Sequence, residues 1–290
     1  MNNKNHKVFV YGTLRKHEKN ERLLDNATCI AHQAWTYGRL YDTGNGYPAM
    51  VIDASKLTYG ELYDVNDEQL QKVDELEGFR EGASQNHYER EFVTIYTDNG
   101  AVNAYVYTYD VTKIRNLEEV QFGDWKCHQH LNKDSFLYFA YGSCMDDERF
   151  QLANVDHHFS SMLGCGVVDG YLLSFTKHSH DGARADIVET NGHKVEGKVY
   201  EIGKEALSYL FKREGVYAGA YRPAFIDVII NEKKYHDVLT FLVIEKQPEI
   251  APPINYATEI LRGAKGIVSD EYYNKVQQEL YDKFNLIIHV

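Results

Sequence analysis

Two stretches of this sequence repeat the same short pattern. Residues 8–14 read VFVYGTL and residues 138–145 read YFAYGSCM. Each is an apolar run that ends in Tyr-Gly and a small hydroxyl residue. Tyr11 and Tyr141 stand 130 positions apart. Each copy is followed by a helix-like run closing on Glu-Gly, at Glu77-Gly78 and Glu214-Gly215, 137 positions apart. A protein that repeats a loop and an acid at nearly constant separation is expected to fold as two related domains. Each domain then has one carboxylate in the same place.

With 290 residues, the protein has room for two domains that each bury a core. A net charge of −12 repels phosphate backbones, so nucleic acid is not an expected partner. No apolar run approaches the ~20 residues of a membrane span, so no membrane association is expected. The opening MNNKNHK leads straight into a strand-like run without the pattern of a signal peptide. Cys29, Cys127, Cys144 and Cys165 are irregularly spaced, with no CxxC pair. Free thiols in a reducing cytoplasm are the expectation.

The first domain is expected over residues 1–125, a polar linker over 126–135 and the second domain over 136–290. In the first, residues 8–11, 34–41, 57–63, 88–96 and 102–109 read as strands and a helix starts at Asn66. The second repeats the order, with strands at 136–141, 170–176, 195–202, 222–230 and 238–244 and a helix over 204–214. It then adds two helices, 255–261 and 270–284. Tyr272, Val276, Leu280 and Phe284 stripe the latter. Many short strands with few helices predict an α+β fold. The expected architecture is two tandem small mixed β-barrels, the second with C-terminal helices, and not a doubly wound parallel sheet.

Asn66 and Gln69 have the spacing of a capping box, and Gly78 stops the helix. Leu70, Val73 and Leu76 form its apolar stripe. Glu77, seven residues after Leu70, falls on the same face. In the second copy Leu207, Leu210 and Phe211 form the stripe and Glu214 lies seven after Leu207. A glutamate on a buried face at a helix C-terminus has its pKa raised by desolvation and by the negative end of the helix dipole. Such a carboxyl suits proton transfer near neutral pH. The Tyr-Gly turn can aim backbone N–H groups outward, a nest for a carboxylate or a developing oxyanion.

The combination resembles the gamma-glutamylcyclotransferase-like superfamily. The matching residues are YGTLR at 11–15 with VDELEG at 73–78, and YGSCM at 141–145 with LFKREG at 210–215. In the second domain PINY at 253–256, Gly263-Ala264-Lys265 and Glu271-Tyr272 resemble the family's C-terminal run. Gly123-Asp124-Trp125 resembles the shorter gamma-glutamylamine type. The sequence departs from the family pattern at Cys144, where asparagine is usual, at Phe211-Lys212-Arg213, which lacks the aspartate, and at Pro253, where serine is usual.

The resemblance implies cyclisation of a small γ-glutamyl amide or γ-glutamyl amino acid, glutathione among them. The products are 5-oxoproline and a free amine or amino acid. Glu77 and Glu214 would be catalytic. Tyr11, Gly12, Thr13, Leu14 and Tyr88, and Tyr141, Gly142, Ser143, Cys144, Met145, Tyr221 and Tyr256, would bind substrate. No metal or organic cofactor is implied. The histidine groups at 127–130, 156–158 and 178–181 lack the spacing of a metal site. The rival reading is a non-catalytic γ-glutamyl or amino-acid binding module. Nucleophilic catalysis by Cys144 has no histidine partner in the sequence pattern.

Overall fold

The computed structural model describes residues 5–290. They form two compact units that divide between Asn132 and Lys133.

The first unit opens with β1 (His6–Val10), followed by β2 (Thr28–Tyr37), β3 (Arg39–Asp42), β4 (Pro48–Val51) and β5 (Leu57–Val65). Helix α1 (Asp67–Glu77), β6 (Glu89–Thr97), β7 (Gly100–Thr108), β8 (Glu118–Glu119) and α2 (Trp125–His130) complete it. Side chains of β1 alternate as a strand requires. Phe9 packs inside the barrel with Leu62, Ile95 and Val106, while Val8 and Val10 pack outward against Leu70 and Val73 of α1. Five strands close a barrel in the order β1-β5-β2-β6-β7, completed by a parallel pairing of β1 with β7. The stretch expected to be one strand over 34–41 divides at Gly38 into β2 and β3, and β3 joins a separate small sheet with β4 and β8. Residues 126–130, expected to begin a linker, are helical. Asp124 caps α2 by accepting from the Lys126 N–H at 2.8 Å, and Trp125 is buried in the barrel core. A six-residue helix is too short to show periodicity, so only burial reveals it.

The second unit contains β9 (Ser135–Ala140), α3 (Asp147–Leu152), β10 (Met162–Ser179), β11 (Gly182–Gly203) and α4 (Lys204–Arg213). It continues with β12 (Tyr221–Ile230), β13 (Lys233–Val243), α5 (Ile254–Ala264) and α6 (Asp270–Phe284). Its closed barrel has the order β10-β11-β9-β13-β12. Around that ring β9, β11, β10, β12 and β13 occupy the places of β1, β5, β2, β6 and β7. The hairpin β10–β11 runs past the barrel, bending at irregularities between Asp169 and Tyr171 and between Ser174 and Lys177. Tyr272, Val276 and Leu280 of α6 are buried, as their spacing predicts. No helix among the described residues is long and apolar enough to cross a membrane.

The duplication extends to close packing. A Cβ at Gly60 would lie 2.2 Å from the Val10 carbonyl oxygen, and one at Gly197 would lie 2.2 Å from that of Ala140. Gly60 and Gly197 are 137 residues apart, like the two glutamates. In both barrels only hydrogen fits where the first strand of the unit crosses this position.

Candidate active site

In each unit a pocket lies at the end of its first strand, about 210 Å³ in the first and 220 Å³ in the second. Two segments meet in each: the Tyr-Gly loop that follows the strand, and the C-terminus of α1 or α4.

The Asn66 side chain accepts from the Gln69 N–H, and the Gln69 side chain accepts from the Asn66 N–H, so α1 starts on a closed capping box. Gly78 ends it at φ 64° and Gly215 follows α4 at φ 61°, a region that glycine enters without strain. These stops leave Glu77 and Glu214 on the last turn, facing the pockets. Leu70 and Val73 are buried as the stripe requires. Leu76 is not: it is 40% exposed and lines the pocket rim. One residue before the last, the helix has already turned that position away from the barrel.

The α1 C-terminus is fixed by Asp74, which accepts from the Tyr107 hydroxyl at 2.6 Å and pairs with Arg90 at 2.6 Å. Phe211 stands at the position of Asp74 in the second unit and packs edge-on against Phe241, ring centres 5.8 Å apart. The Asp74–Tyr107 pair of the first unit is thus replaced by an aromatic pair in the second. Tyr88 is tied to Glu77 by its own N–H, which donates to the Glu77 carbonyl at 3.2 Å.

The loops are braced from below. The Tyr11 hydroxyl donates to the Tyr107 carbonyl at 2.6 Å, and that of Tyr141 donates to the Phe241 carbonyl at 2.5 Å. Beyond the first loop, buried Arg15 donates to Asp124 at 2.7 Å and to Glu61 at 3.3 Å. In the second unit the polarity reverses: buried Asp146 accepts from Arg262 of α5 at 3.0 Å. In each case an ion pair clamps the loop to the segment that follows the barrel. Among the described residues, the N–H groups of Thr13 and Leu14, and of Ser143 and Cys144, donate to no protein acceptor. These are the amides available to a ligand.

Tyr88 and Tyr221 cross each pocket in the same way. The first donates to the Pro48 carbonyl and the second to the Ala185 carbonyl, both at 2.7 Å. Pro48 has no N–H. Ala185 has one, and it donates to the Tyr256 hydroxyl at 3.1 Å. Tyr256 comes from α5, which the first unit lacks, so a proline there leaves no buried donor unpaired.

The electrostatics of the two acids differ. Burial raises Glu77 from 4.5 to about 7. Burial also raises Glu214, but Arg213 and a hydrogen bond from the Cys144 thiol act against it. The Cys144 S–H donates to Glu214 Oε1 at 3.3 Å, and Arg213 Nε–H donates to Cys144 Sγ at 3.2 Å. Burial pushes the Cys144 thiol up to about 11, so it stays protonated near neutral pH and is a poor nucleophile.

Of the residues expected from the sequence, Tyr11, Gly12, Thr13, Leu14, Tyr88 and Glu77 line the first pocket. Tyr141, Gly142, Ser143, Cys144, Tyr221, Tyr256 and Glu214 line the second. Met145 does not. It is 1% exposed, turned into the core by the helical turn Ser143–Met145. Pocket residues outside either motif include Tyr47, His87 and Tyr107 in the first, and Arg149, Arg184 and Glu259 in the second; Arg213 lies within the second motif but had no role assigned to it. The 137-residue repeat places Arg184 opposite Tyr47 and Arg213 opposite Leu76, so the repeat itself was the available signal.

Residues 8–127 match the family model of gamma-glutamyl cyclotransferase, AIG2-like, and residues 194–276 that of the AIG2-like family. The sequence is 43% identical over 276 residues to the putative gamma-glutamylcyclotransferase YkqA of Bacillus subtilis, a match over 94% of this chain and 96% of YkqA. The crystal structure of YkqA superposes with a TM-score of 0.86 at 42% identity, covering 96% of this chain and 98% of that one. Gamma-L-glutamyl-butirosin B gamma-glutamyl cyclotransferase of Niallia circulans is 37% identical over 120 residues, 41% of this chain and 74% of its own. Gamma-glutamylcyclotransferase of Bos taurus is 31% identical over 168 residues, 51% of this chain and 87% of its own. This chain belongs to the gamma-glutamylcyclotransferase family, with two of its domains in tandem.

Proposed function

We propose that the protein converts γ-glutamyl amides or γ-glutamyl amino acids into 5-oxoproline and a free amine or amino acid, with Glu77 and Glu214 as the proton carriers. One observation carries this reading: in both units a sheltered glutamate faces a loop with two N–H groups that, among the described residues, have no protein acceptor. A glutamate alone could be structural. A glutamate opposite two open amides matches a reaction in which protons pass between two nitrogens while negative charge develops on an oxygen.

The substrate's α-ammonium gives a proton to the glutamate carboxylate. The freed α-nitrogen forms a bond to the γ-carbonyl carbon, and the carbonyl π pair moves onto oxygen. The amides of Thr13 and Leu14, or of Ser143 and Cys144, would receive that oxyanion or the substrate α-carboxylate. When the tetrahedral centre collapses, the γ-carbon–nitrogen bond breaks and its electron pair leaves with the departing nitrogen. That nitrogen takes the proton back from the glutamate. The ring nitrogen, still carrying one proton more than the lactam holds, gives it to the same carboxylate, which passes it to the departing amine, so the products are neutral lactam N–H, a free ammonium and the regenerated carboxylate. Five-membered ring closure is intramolecular, so the pocket's main entropic task is to hold the substrate folded. A carboxyl raised to about 7 is matched to accepting and returning a proton near neutrality.

The test is 5-oxoproline release from a panel of γ-glutamyl dipeptides, γ-glutamylamines and glutathione. The enzymes compared are wild type, Glu77→Gln, Glu214→Gln and the double variant. Each single variant is expected to lose the turnover of its own pocket and the double variant to lose all. Undiminished turnover in the double variant would remove the glutamates from the mechanism.

A further inference from the structure

The two pockets share their acid, loop and cross-pocket tyrosine, yet their walls differ in charge. The first contains Glu77 and no lysine or arginine. Its titratable rim residue, His87, is pushed down by burial and by nearby Lys113, and so is held neutral. Lys113 itself is outside the lining, stacked on Tyr109 at 5.3 Å. The second pocket contains Arg149, Arg184 and Arg213 against two carboxyls, Glu214 and Glu259. Two of these differences fall at matched positions. Tyr47 and Arg184, like Leu76 and Arg213, are separated by the same 137 residues as Glu77 and Glu214.

The three guanidinium groups are not equivalent. Arg213 is committed to the loop, donating to Ser143 Oγ at 2.8 Å and to Cys144 Sγ at 3.2 Å. Arg149 gives one N–H to Glu259 at 3.1 Å. Arg184 gives Nη2 to Asp181 at 2.8 Å and Nη1 to the Ala183 carbonyl at 3.4 Å, and lies over the Tyr256 ring at 5.0 Å. A guanidinium has five N–H donors in a planar fork, so Arg184 and Arg149 retain donors for a second carboxylate. In the first pocket the matched position offers the uncharged Tyr47, its ring 6.0 Å from His87 and 6.4 Å from Tyr88 and its hydroxyl 3.4 Å from His87 Nε2. A carboxylate placed there would meet aromatic side chains, a neutral hydroxyl and Glu77, with no cation among the lining residues.

We propose that the pockets divide their substrates by the leaving group: the second takes γ-glutamyl compounds whose departing amine carries a carboxylate, an α-amino acid, and the first takes those whose departing amine carries none. Arg184 is the residue that sets this preference. The inference rests on the cyclotransferase reading of both sites. The bonds made and broken are the same in the two pockets, and only the anchoring of the departing nitrogen's substituent differs.

The test uses γ-glutamylalanine and γ-glutamylethylamine, which differ by one carboxylate. Glu77→Gln isolates the second pocket and Glu214→Gln the first. In Glu77→Gln, kcat/KM is expected to favour γ-glutamylalanine by ~10- to 100-fold, the range for a hydrogen bond to a charged group. In Glu214→Gln the ratio is expected to reverse or vanish. Adding Arg184→Gln to Glu77→Gln should lower kcat/KM for γ-glutamylalanine about 10-fold more than for γ-glutamylethylamine, largely through KM, and Arg184→Lys should restore part of the difference. Melting curves by circular dichroism check that each variant is folded. Equal substrate ratios in the two single variants, or an equal loss on both substrates in Arg184→Gln, would overturn the division. If wild type turns over neither compound, the cyclotransferase reading itself fails. Calorimetric titration of the same pair into the same variants then still measures the carboxylate preference, and equal affinities would overturn it.

Discussion

Glu77 is expected to cost the folded protein stability. Burial raises its carboxyl from 4.5 to about 7, so the native state holds a proton that the unfolded state releases. Between those values the native state binds more protons than the unfolded state, and stability falls as pH rises. At about 1.36 kcal/mol per pH unit, the span corresponds to about 3 kcal/mol, fully developed above about pH 7 and absent below about pH 4.5. The side chain is half-buried and keeps some solvent at the pocket mouth, so this figure is an upper bound. Glu77→Gln keeps the shape and removes the titration. The variant should therefore match wild type at about pH 4 and exceed it progressively toward about pH 8, by a melting-temperature difference of up to about 10 °C for a unit of this size. Glu214→Gln supplies an internal contrast. Arg213 and the Cys144 thiol offset the burial of Glu214, so its gain should be smaller. Differential scanning calorimetry of wild type and both variants across that pH range measures the effect. Melting temperatures of wild type and Glu77→Gln that stay parallel throughout would refute the argument.

Turnover by Glu214→Gln, which leaves only the first pocket, should rise through an apparent midpoint near about pH 7, because the base must be ionised to act. A flat profile between about pH 5.5 and 8 would count against Glu77 as the base. Arg15→Met should destabilise the first unit by about 3–5 kcal/mol in urea unfolding, because Asp124 and Glu61 would be left buried without their cation. A loss under about 1 kcal/mol would show that the trio is not desolvated. Gly197→Ala should cost about 1–3 kcal/mol or more, since the new methyl would sit 2.2 Å from the Ala140 carbonyl oxygen. Unchanged stability would mean that β11 can shift away from β9. Tyr221→Phe should destabilise the second unit by about 1–3 kcal/mol and lower the turnover of Glu77→Gln, because the Ala185 carbonyl loses its donor. Loss of neither would make that hydrogen bond dispensable.

The sequence by itself determined what is local or repeated. The alternation of Val8, Phe9 and Val10 dictates a strand with two faces. The Asn66–Gln69 box and Gly78 bound a helix within a residue, and the Tyr272–Leu280 stripe marks α6 throughout. These signals come from neighbouring residues whose spacing is set by backbone geometry. The duplicated Tyr-Gly loop and Glu-Gly helix end brought both pockets into view for the same reason. What only the tertiary structure decided depends on segments distant in sequence. Met145 faces the core because the backbone makes a helical turn there, and Leu76 faces solvent at the pocket mouth although its spacing matches the buried stripe. Helix α2 exists because Trp125 finds a place in the barrel core. The ion pair under each loop changed polarity, from Arg15–Asp124 to Asp146–Arg262, and each partner lies more than a hundred residues from the other. Arg184 reaches the pocket because the β10–β11 hairpin continues beyond the barrel, and Tyr256 because α5 packs beside it. A charge at the end of a long hairpin has no local signature of the cavity it faces. Its chemistry is fixed by which distant residues the fold sets around it.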